Sequence, residues 1–324
     1  MNRKLLPLLM TAGVLVALFV AASCMYEGFG SARVVANLFS DNAVLGIIAI
    51  GMTFVILSGG IDLSVGSVVA CTTVVIATLV GRHHWHPLPA IGVALVLGTV
   101  FGWLQGGLIQ RYELPAFLIT LGGMFLARGL AFVVNMESVG IRHGFYTAAQ
   151  EFILPLGGNS ALSSAAMLFL ALFVLGLIVA HLTVFGRNIY ALGGSPDSAR
   201  LMGLPVARTR PAVYAVSGFC SALAGVAATL YTGSGNPAMG VGLELDAIAA
   251  VVIGGTLLTG GVGYLAGTLL GVLIFGTIQS ALIFDGRLNS WWLRIAIGTL
   301  LLAFILLQRA LTRSPARGHA AAHQ

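Results

Sequence analysis

The chain has 324 residues, of which 58% are hydrophobic and 8% are charged, and its formal net charge is +6 at pH 7. Soluble domains carry about 25% charged residues, so this composition excludes a soluble globular protein and predicts a polytopic membrane protein. The arginines are dispersed near the ends of apolar segments and form no basic stripe, so the positive charge does not indicate a nucleic-acid partner.

Apolar segments follow one another along the whole chain, and several are shorter than the roughly 20 residues that a straight helical crossing needs. The sequence therefore predicts an all-α membrane protein with about ten transmembrane helices, some of them short or broken. The predicted segments are Leu5–Ser23, Ala43–Leu57, Ser64–Val80, Leu88–Ile109, Ala116–Val134, Ala161–Ala180, Arg210–Thr232, Leu245–Thr259, Val262–Phe284 and Trp291–Leu307.

The first segment has two interpretations. Arg3 and Lys4 followed by an apolar run resemble a secretory signal peptide. The run is also long enough to cross a bilayer. We favour the second interpretation, an uncleaved first helix.

Loop arginines orient the segments, because Lys and Arg accumulate on the cytoplasmic side. The loop from His181 to Thr209 carries three arginines, and both ends of the chain are basic. Ten crossings place both ends on the side of this loop, so we predict cytoplasmic termini. We further expect residues 1–312 to form the transmembrane domain and residues 313–324 to form a disordered cytoplasmic tail.

The second and third segments are separated by a polar break, Gly59-Gly60-Ile61-Asp62-Leu63-Ser64. Non-helical backbone at membrane depth must be buried in protein or line a water-filled cavity, and a carboxylate there needs a partner or water. The break therefore indicates a transport route before an enzyme. Asp62 either lines that route, caps the following helix or lies at a water-exposed turn, and we favour capping close to the route.

A weak echo of this break occurs in the second half. Gly51 and Thr53 precede the Gly59-Gly60 pair, as Gly255-Thr256 precedes the Gly260-Gly261 pair. Interrupted helices in duplicated halves are common in transporters. Chance similarity between glycine-rich helices explains the match equally well.

Polar residues around the two breaks are candidates for the translocation path or for the breaks themselves. Glu244 and Asp246 precede a continuous apolar run, where acids stabilise a helix start, so a structural role is at least as well supported as a substrate contact. The candidate set is Thr53, Ser58, Gly59, Gly60, Asp62, Ser64, Glu244, Asp246, Thr256 and Thr259.

Two segments carry glycine at every fourth position, which leaves a flat groove for a neighbouring helix. We predict that these glycines pack helices and do no chemistry. The stripes are Gly98, Gly102 and Gly106, and Gly263, Gly267 and Gly271.

The loop from Phe185 to Gly203 contains the pattern of a short capped helix. Ser195 before Pro196 is a favourable helix start, and Gly203 is placed to end the helix. On this pattern alone, an ordinary surface loop is the better interpretation.

Phosphate-binding and metal-binding motifs are weak or missing. Gly255 and Gly260 have the spacing of a phosphate-binding loop, but Gly261 stands where the lysine is required. The cluster His83-His84-Trp85-His86 lacks nearby carboxylate or thiolate ligands, and we favour a short wet loop over a metal site. Cys24, Cys71 and Cys220 indicate no disulfide framework.

Four motifs in order resemble the permease subunits of bacterial monosaccharide ABC importers, the ribose-type family. The resemblance runs from about Leu38 to about Leu307, nearly the whole chain. Residues 51–58 and Ser290-Trp291-Trp292 are most similar to the galactofuranose-importing members. The four motifs are Gly59–Gly66, Pro115–Gly122 with Arg128-Gly129, Gly186-Arg187 leading to Tyr190–Gly194, and Glu244–Gly255.

The resemblance implies a permease subunit that translocates a monosaccharide, galactofuranose or a similar sugar, across the inner membrane, with no cofactor, metal or enzymatic activity of its own. It implies a second, homologous permease in a heterodimer, a cytoplasmic ATP-binding subunit and a periplasmic sugar-binding protein. It also implies that the loop from Phe185 to Gly203 docks on the ATPase. The coupling candidates are Gly186, Arg187, Gly193, Gly194, Ser195, Ala199, Arg200 and Gly203.

Two other classes of protein compete with this interpretation. An ion-coupled secondary sugar transporter is the main alternative, but such proteins often carry relays of buried ionisable groups, and Asp62 is nearly alone in the first half. A membrane enzyme is the second alternative, and no cluster of acids, histidines and a nucleophile supports it. Dependence of uptake on an ATPase partner separates the importer from both.

Overall fold

The computed structural model describes residues 6–157, 160–287 and 291–312. The predicted tail, the first five residues and Ser290 lie outside these ranges. The described chain forms fourteen helices and four short strands. The helices are α1 (Leu6–Met25), α2 (Ala32–Asp41), α3 (Ala43–Leu57), α4 (Val65–Gly81), α5 (Pro87–Tyr112), α6 (Ala116–Val134), α7 (Gly144–Glu151), α8 (Ser164–Leu182), α9 (Val184–Gly194), α10 (Pro196–Leu201), α11 (Val206–Thr232), α12 (Leu243–Ile253), α13 (Leu265–Asp285) and α14 (Trp291–Thr312). The strands are β1 (Val139–Gly140), β2 (Ile153–Gly157), β3 (Ser160–Ser163) and β4 (Ser234–Gly235).

Within the described residues, six helices are long and apolar enough to cross a membrane on their own: α1, α5, α6, α8, α11 and α13. The pair α2 and α3 meets the same criterion together, although it bends by 58°, and would make a seventh crossing. Helix α4 and the stretch Trp291–Leu306 of α14 are apolar but shorter. The chain is therefore a helical multi-pass membrane protein, and the count of ten crossings remains a prediction.

Helix α3 forms the centre of the bundle. All but one of its residues are buried, and it packs against α8, α11, α12 and α13. A helix that is apolar on every side belongs in such a position. Helices α5 and α6, by contrast, expose large apolar side chains such as Trp103 and Phe125 on their outer faces.

The first predicted glycine stripe packs α5 against α11. A Cβ atom on Gly98 would lie 2.6 Å from the Cβ of Ala222, and one on Gly106 would lie 2.7 Å from the Cα of Pro211. The two backbones are too close for any larger side chain, which confirms the packing role.

The second stripe is confirmed only in part. Gly267 and Gly271 lie on α13 and approach the backbone of α12 at Gly254 and Ala250. Gly263 does not belong to the helix, because α13 begins two residues later, at Leu265. Gly263 lies in the turn before it, beside Thr256.

The helix predicted over Leu245–Thr259 is wrong at its end. Helix α12 stops at Ile253, and Gly255 has a positive φ of 92°. A residue with a side chain rarely adopts that conformation, so the glycine ends the helix before Thr256. Helices α2 and α7, whose segments are short and mixed in polarity, were not predicted. The first part of the predicted loop from Phe185 to Gly203 is also helical, as α9.

The bundle has two distinct ends. At the end called here the hairpin end, β1 pairs with β4 and β2 pairs with β3, both antiparallel. The opposite end is the one where α9 and α10 lie, and it is called here the α9–α10 end. Towards this end, the hydroxyl of Thr11 in α1 donates to the carbonyl of Ile253 at 2.8 Å. Phe304 of α14 belongs to the same buried cluster as Ile253. Helix α1 therefore begins, and α14 ends, towards the α9–α10 end.

Candidate translocation and coupling site

Three Gly-Gly pairs from distant parts of the chain meet in one place, called here the glycine junction: Gly59-Gly60, Gly193-Gly194 and Gly260-Gly261. The N–H of Gly261 donates to the carbonyl of Leu57 at 2.9 Å. A Cβ atom on Gly260 would lie 2.7 Å from the nitrogen of Gly59 and 3.0 Å from the carbonyl oxygen of Gly193. The end of α9 is thus in backbone contact with both helix breaks.

Several positions of this junction require glycine. Gly59 and Gly260 have φ angles of 81° and 85°, in the left-handed region that L-residues disfavour. A Cβ on Gly261 would lie 2.7 Å from the nitrogen of Gly194, so the approach itself also excludes a side chain. The two breaks that the sequence pattern compared are therefore in direct contact.

Asp62 caps the first break from inside the protein. Its side chain is buried, with 2% exposed. One carboxylate oxygen accepts the backbone N–H and the hydroxyl of Ser64, at 2.9 and 2.7 Å. The other accepts the hydroxyl of Ser217 in α11 at 2.7 Å, and Gln105 in α5 donates to the Ser64 hydroxyl at 3.1 Å. Asp62 therefore ties the start of α4 to α5 and α11.

Replacing Asp62 should destabilise the fold more than replacing its partner. Ser217→Ala removes one hydrogen bond to a carboxylate, which contributes about 1.5–3 kcal/mol. Asp62→Ala leaves several buried donors without an acceptor, so we expect the larger fall in melting temperature in detergent. Asp197→Ala, on the exposed surface of α10, is the control. Equal melting temperatures for Asp62→Ala and the control would contradict this role.

Most hydroxyl candidates around the breaks are occupied within the protein. Thr53 in α3 and Thr268 in α13 are hydrogen-bonded to each other at 2.7 Å, and Ser58 donates to the carbonyl of Val55 at 2.7 Å. Thr256 is fully buried, and its hydroxyl has no hydrogen-bond partner in the described structure. Thr259 is exposed. A direct contact between these groups and a substrate stays a prediction.

Glu244 and Asp246 lie in the first turn of α12, where the sequence predicted acids at a helix start. The Glu244 carboxylate accepts the N–H of Gly242, the residue before the helix, at 3.2 Å. Its second oxygen is buried without a hydrogen-bond partner in the described structure. The guanidinium of Arg294, in the first turn of α14, lies beside the start of α12, where a Cβ on Gly242 would be 3.5 Å from it.

Helix α9 leads from α8 to the glycine junction. Thr183 caps it by accepting the N–H of Gly186 at 3.1 Å, and Gly186 itself packs against the last turns of α8. Arg187 is exposed. The Tyr190 hydroxyl donates to the carbonyl of Gly263 at 2.9 Å. Burial raises the pKa of Tyr190 to about 12, so the phenol stays a neutral donor near neutral pH.

Helix α10 is the short capped helix that the sequence predicted. The Ser195 side chain accepts the N–H of Ser198 at 3.2 Å, Pro196 is the first helical residue, and Gly203 turns the chain with a φ of 76°. Ala199 is buried against the bundle. Arg200 forms an ion pair with Glu113 at 3.4 Å, so its side chain already has a partner within the chain.

The exposed tip of α10 is apolar. Leu201 is 90% exposed and the adjoining Met202 is 69% exposed, although both lie at the polar α9–α10 end. Exposed apolar side chains on a polar surface are a feature of interaction sites, although no contact of these two residues with a partner is shown. These two residues follow Arg200 directly in the sequence. The sequence-based coupling candidates include Arg200 but neither Leu201 nor Met202.

Residues 34–305 match the family described as the permease component of the branched-chain amino acid transport system. The match covers both helix breaks, α9 and α10. The chain belongs to this permease family.

The relatives of this permease are named as ABC transporter permeases or as sugar import permeases. It is 49% identical over 312 residues to the inner membrane ABC transporter permease protein YjfF of Escherichia coli, covering 96% of this chain and 94% of the relative. It is 38% identical to the fructose import permease FruG of Bifidobacterium longum, covering 96% and 92%. It is 37% identical to the ribose import permease RbsC of Escherichia coli, covering 90% and 91%. No solved structure matches the chain.

Family membership and the apolar helices together make the permease a multi-pass protein of the inner membrane. Its relatives are transport subunits rather than enzymes.

Within the histidine cluster, His86 has a local structural role, because its ring accepts the N–H of Leu88 and caps α5. Among the described residues, no group of three metal-ligating side chains is close enough to hold a metal ion. The cysteines are free.

Proposed function

We propose that this permease is the membrane subunit of an ATP-driven importer and that its cargo is a monosaccharide. The names of its relatives include import permeases for fructose, ribose and L-arabinose, which supports a sugar over an amino acid. The observation that carries the proposal is the glycine junction, because it joins the exposed α9–α10 segment to both helix breaks without any intervening side chain.

We propose galactofuranose or a similar sugar as the cargo. The support is the resemblance of residues 51–58 and of the Trp291-Trp292 pair to galactofuranose-importing members. A neutral sugar needs no ionised ligand, and a largely apolar path with few polar groups suits it. Selectivity in such importers rests largely on the binding protein, so competition between sugars is the direct test.

For the arrangement in the membrane, we propose ten crossings with both termini in the cytoplasm. Helices α1, α4, α5, α6, α8, α11, α12, α13 and α14, with the bent pair α2 and α3, supply ten apolar segments. The α9–α10 end carries Arg187, Arg200 and Arg208, which supports its cytoplasmic side. Residues 1–312 would then form the permease domain, followed by a cytoplasmic tail over residues 313–324.

Three partners follow from this arrangement. The ATP-binding subunit contacts α10, whose apolar tip of Leu201 and Met202 is open to a partner. A periplasmic sugar-binding protein delivers the sugar at the hairpin end. A second, homologous permease completes the path in a heterodimer, and the exposed outer faces of the helices leave room for it.

In the mechanism, the ATPase moves α10 and α9, and the glycine junction passes this displacement to the two breaks. A backbone-to-backbone contact transmits a displacement of α9 directly to the breaks, because no flexible side chain lies between these elements. The breaks are non-helical, so small rotations of their φ and ψ angles redirect α4 and α13. ATP binding and hydrolysis thereby alternate access to the path.

The proposal is tested by sugar uptake into vesicles that contain the permease with its partner permease, ATPase and binding protein. Uptake should require ATP and stop with a hydrolysis-deficient ATPase. Excess galactofuranose should compete better than ribose or fructose. Uptake that persists without ATPase activity but collapses with the proton or sodium gradient would instead support an ion-coupled secondary transporter.

A further inference from the structure

The segment between α11 and α12, residues Gly233–Gly242, runs back into the bundle from the hairpin end and is called here the return loop. Gly235 lies against Thr73 in the middle of α4. Gly240 lies against Gly66 in the first turn of α4, where its Cβ would be 2.6 Å from the Gly66 carbonyl oxygen. The loop thus follows α4 for about 10 Å, at 1.5 Å per helical residue.

Arg128 holds this loop in place. It is the only charged residue of α6, and one guanidinium nitrogen donates to two loop carbonyls, those of Pro237 at 2.7 Å and Met239 at 2.6 Å. A charge in a membrane helix is a functional-site hypothesis by default, and its partner here is the loop backbone.

The return loop lies over the first turns of α4 and α12. Glu244, in the first turn of α12, has one carboxylate oxygen beside Gly66, where a Cβ would lie 2.5 Å from it. That oxygen is buried and has no hydrogen-bond partner in the described structure. Non-helical backbone at membrane depth lines a cavity or is buried in protein. The loop therefore lies between the hairpin end and the start of α4, which follows the first break.

Glycines lie at both ends of the loop, and its first residues form β4, which pairs with β1. Movement of the loop therefore carries β1 with it or separates this pair. Gly233 has a φ of 62° and Gly242 a φ of 88°, in the region that glycine adopts most easily. Hinges of this kind absorb large changes of φ and ψ. Between them, the loop touches α4 through backbone atoms, the Ala77 methyl group and the Thr73 hydroxyl, which accepts the N–H of Asn236 at 3.2 Å.

We propose that the return loop is a gate for the transported sugar, and that Arg128 is the positioning residue that holds the gate closed over the first turns of α4 and α12. The identity of the cargo rests on the proposed function. The contact between Arg128 and the loop carbonyls, called here the latch, forms within this chain and needs no sugar.

The latch is tested by thiol labelling without sugar or ATPase. Thr73 is fully buried beneath the loop, so Thr73→Cys, with Cys24, Cys71 and Cys220 replaced by alanine, reports loop opening. Arg128→Met removes charge-assisted hydrogen bonds and should raise the rate of labelling by a small maleimide about ten- to hundredfold. Arg128→Lys keeps the charge and should restore much of the protection. Unchanged labelling of properly inserted Arg128→Met would overturn the proposal.

Two controls separate a latch from general loosening. The native Cys220 is buried in α11 away from the loop, and as the sole cysteine it should stay unreactive in Arg128→Met. Arg82→Met removes a different arginine contact, the one to Asn135 at 2.7 Å, and should leave the labelling of Cys at position 73 unchanged. Parallel increases at positions 73 and 220 would mean that Arg128 is only a stabilising residue.

Movement of the gate is tested by a cross-link. A Cβ on Gly235 would lie 2.7 Å from the Cβ of Ala77 in α4, close enough for a disulfide after a shift of about 1 Å. The same Cβ would also meet the carbonyl of Thr73, so Gly235→Cys without the second cysteine is the control for the added side chain. Oxidation of the Gly235→Cys, Ala77→Cys variant should stop uptake, and reduction should restore it. Full uptake with the cross-link formed would show that the loop is fixed during transport, even where ATP-driven sugar uptake itself is confirmed. If Arg128→Met does not reach the membrane, Arg128→Lys and this cross-link decide the matter.

Discussion

A methyl group on Gly193 should abolish transport, whereas the same group on the next residue, Gly194, should leave it intact. A Cβ on Gly193 meets the carbonyl of Leu57 and would lie 2.5 Å from the nitrogen of Gly261. A Cβ on Gly194 meets nothing within 4 Å. Both residues end α9, so helix propensity changes equally and only the contact differs. Backbone atoms cannot rotate away as a side chain does, so α9 must separate from the breaks.

Uptake by Gly193→Ala and Gly194→Ala is measured at matched membrane abundance, together with retention of the ATPase. We expect Gly193→Ala to retain its ATPase, because α10 is unchanged, and to lose uptake. Overpacking of a tight contact costs about 1–3 kcal/mol, so the variant should still fold. Wild-type uptake by Gly193→Ala would remove the glycine junction from the mechanism.

The helix ends that the sequence predicted best are those set by local chemistry. Helices α3 and α6 have the predicted bounds, Ala43–Leu57 and Ala116–Val134. Gly59-Gly60 stops the first, and Pro115 precedes the second. Such residues act on their own backbone, whatever the rest of the fold does. The cap of α10 by Ser195 could be predicted for the same reason.

Contacts between distant segments could not be predicted. The glycine junction joins residues near positions 59, 193 and 260, and no local pattern indicates that they meet. The sequence selected Arg200 as the coupling charge, but its ion pair with Glu113 arises only when α10 folds against the turn between α5 and α6. Arg128 belongs to one of the four family motifs, but no sequence pattern predicts that it donates to the carbonyls of Pro237 and Met239.

The path candidates show a related limit. A hydroxyl beside a helix break looks the same in sequence whether it faces a cavity or a neighbouring helix. Thr53 pairs with Thr268 and Ser58 with its own helix backbone. Asp62, for which capping and the route were both considered, is a buried connection between three helices. Burial and pairing decide these roles, and both depend on the tertiary fold.

The apolar tip of α10 leads to the second large effect: Leu201→Asp should detach the ATPase. Leu201 is 90% exposed on a polar surface, which suits a side chain that becomes covered by a partner. An aspartate there would bring an unpaired carboxylate into the interface, and desolvating it is costly. We expect the amount of ATPase that co-purifies with the permease to fall about tenfold or more, with uptake falling in proportion. Leu201→Met conserves volume and should retain both.

Arg200→Glu provides the comparison that separates an apolar contact from a charged one. Arg200 and Glu113 are exposed by 44% and 73%, and exposed ion pairs contribute only about 0–1 kcal/mol. Reversal of this charge should therefore weaken ATPase retention less than Leu201→Asp does. If Arg200→Glu releases the ATPase while Leu201→Asp retains it, the docking contact is electrostatic and the exposed leucine has another role. If both variants retain the ATPase and transport normally, the partner docks away from α10, and the force on the glycine junction must enter through α9 itself.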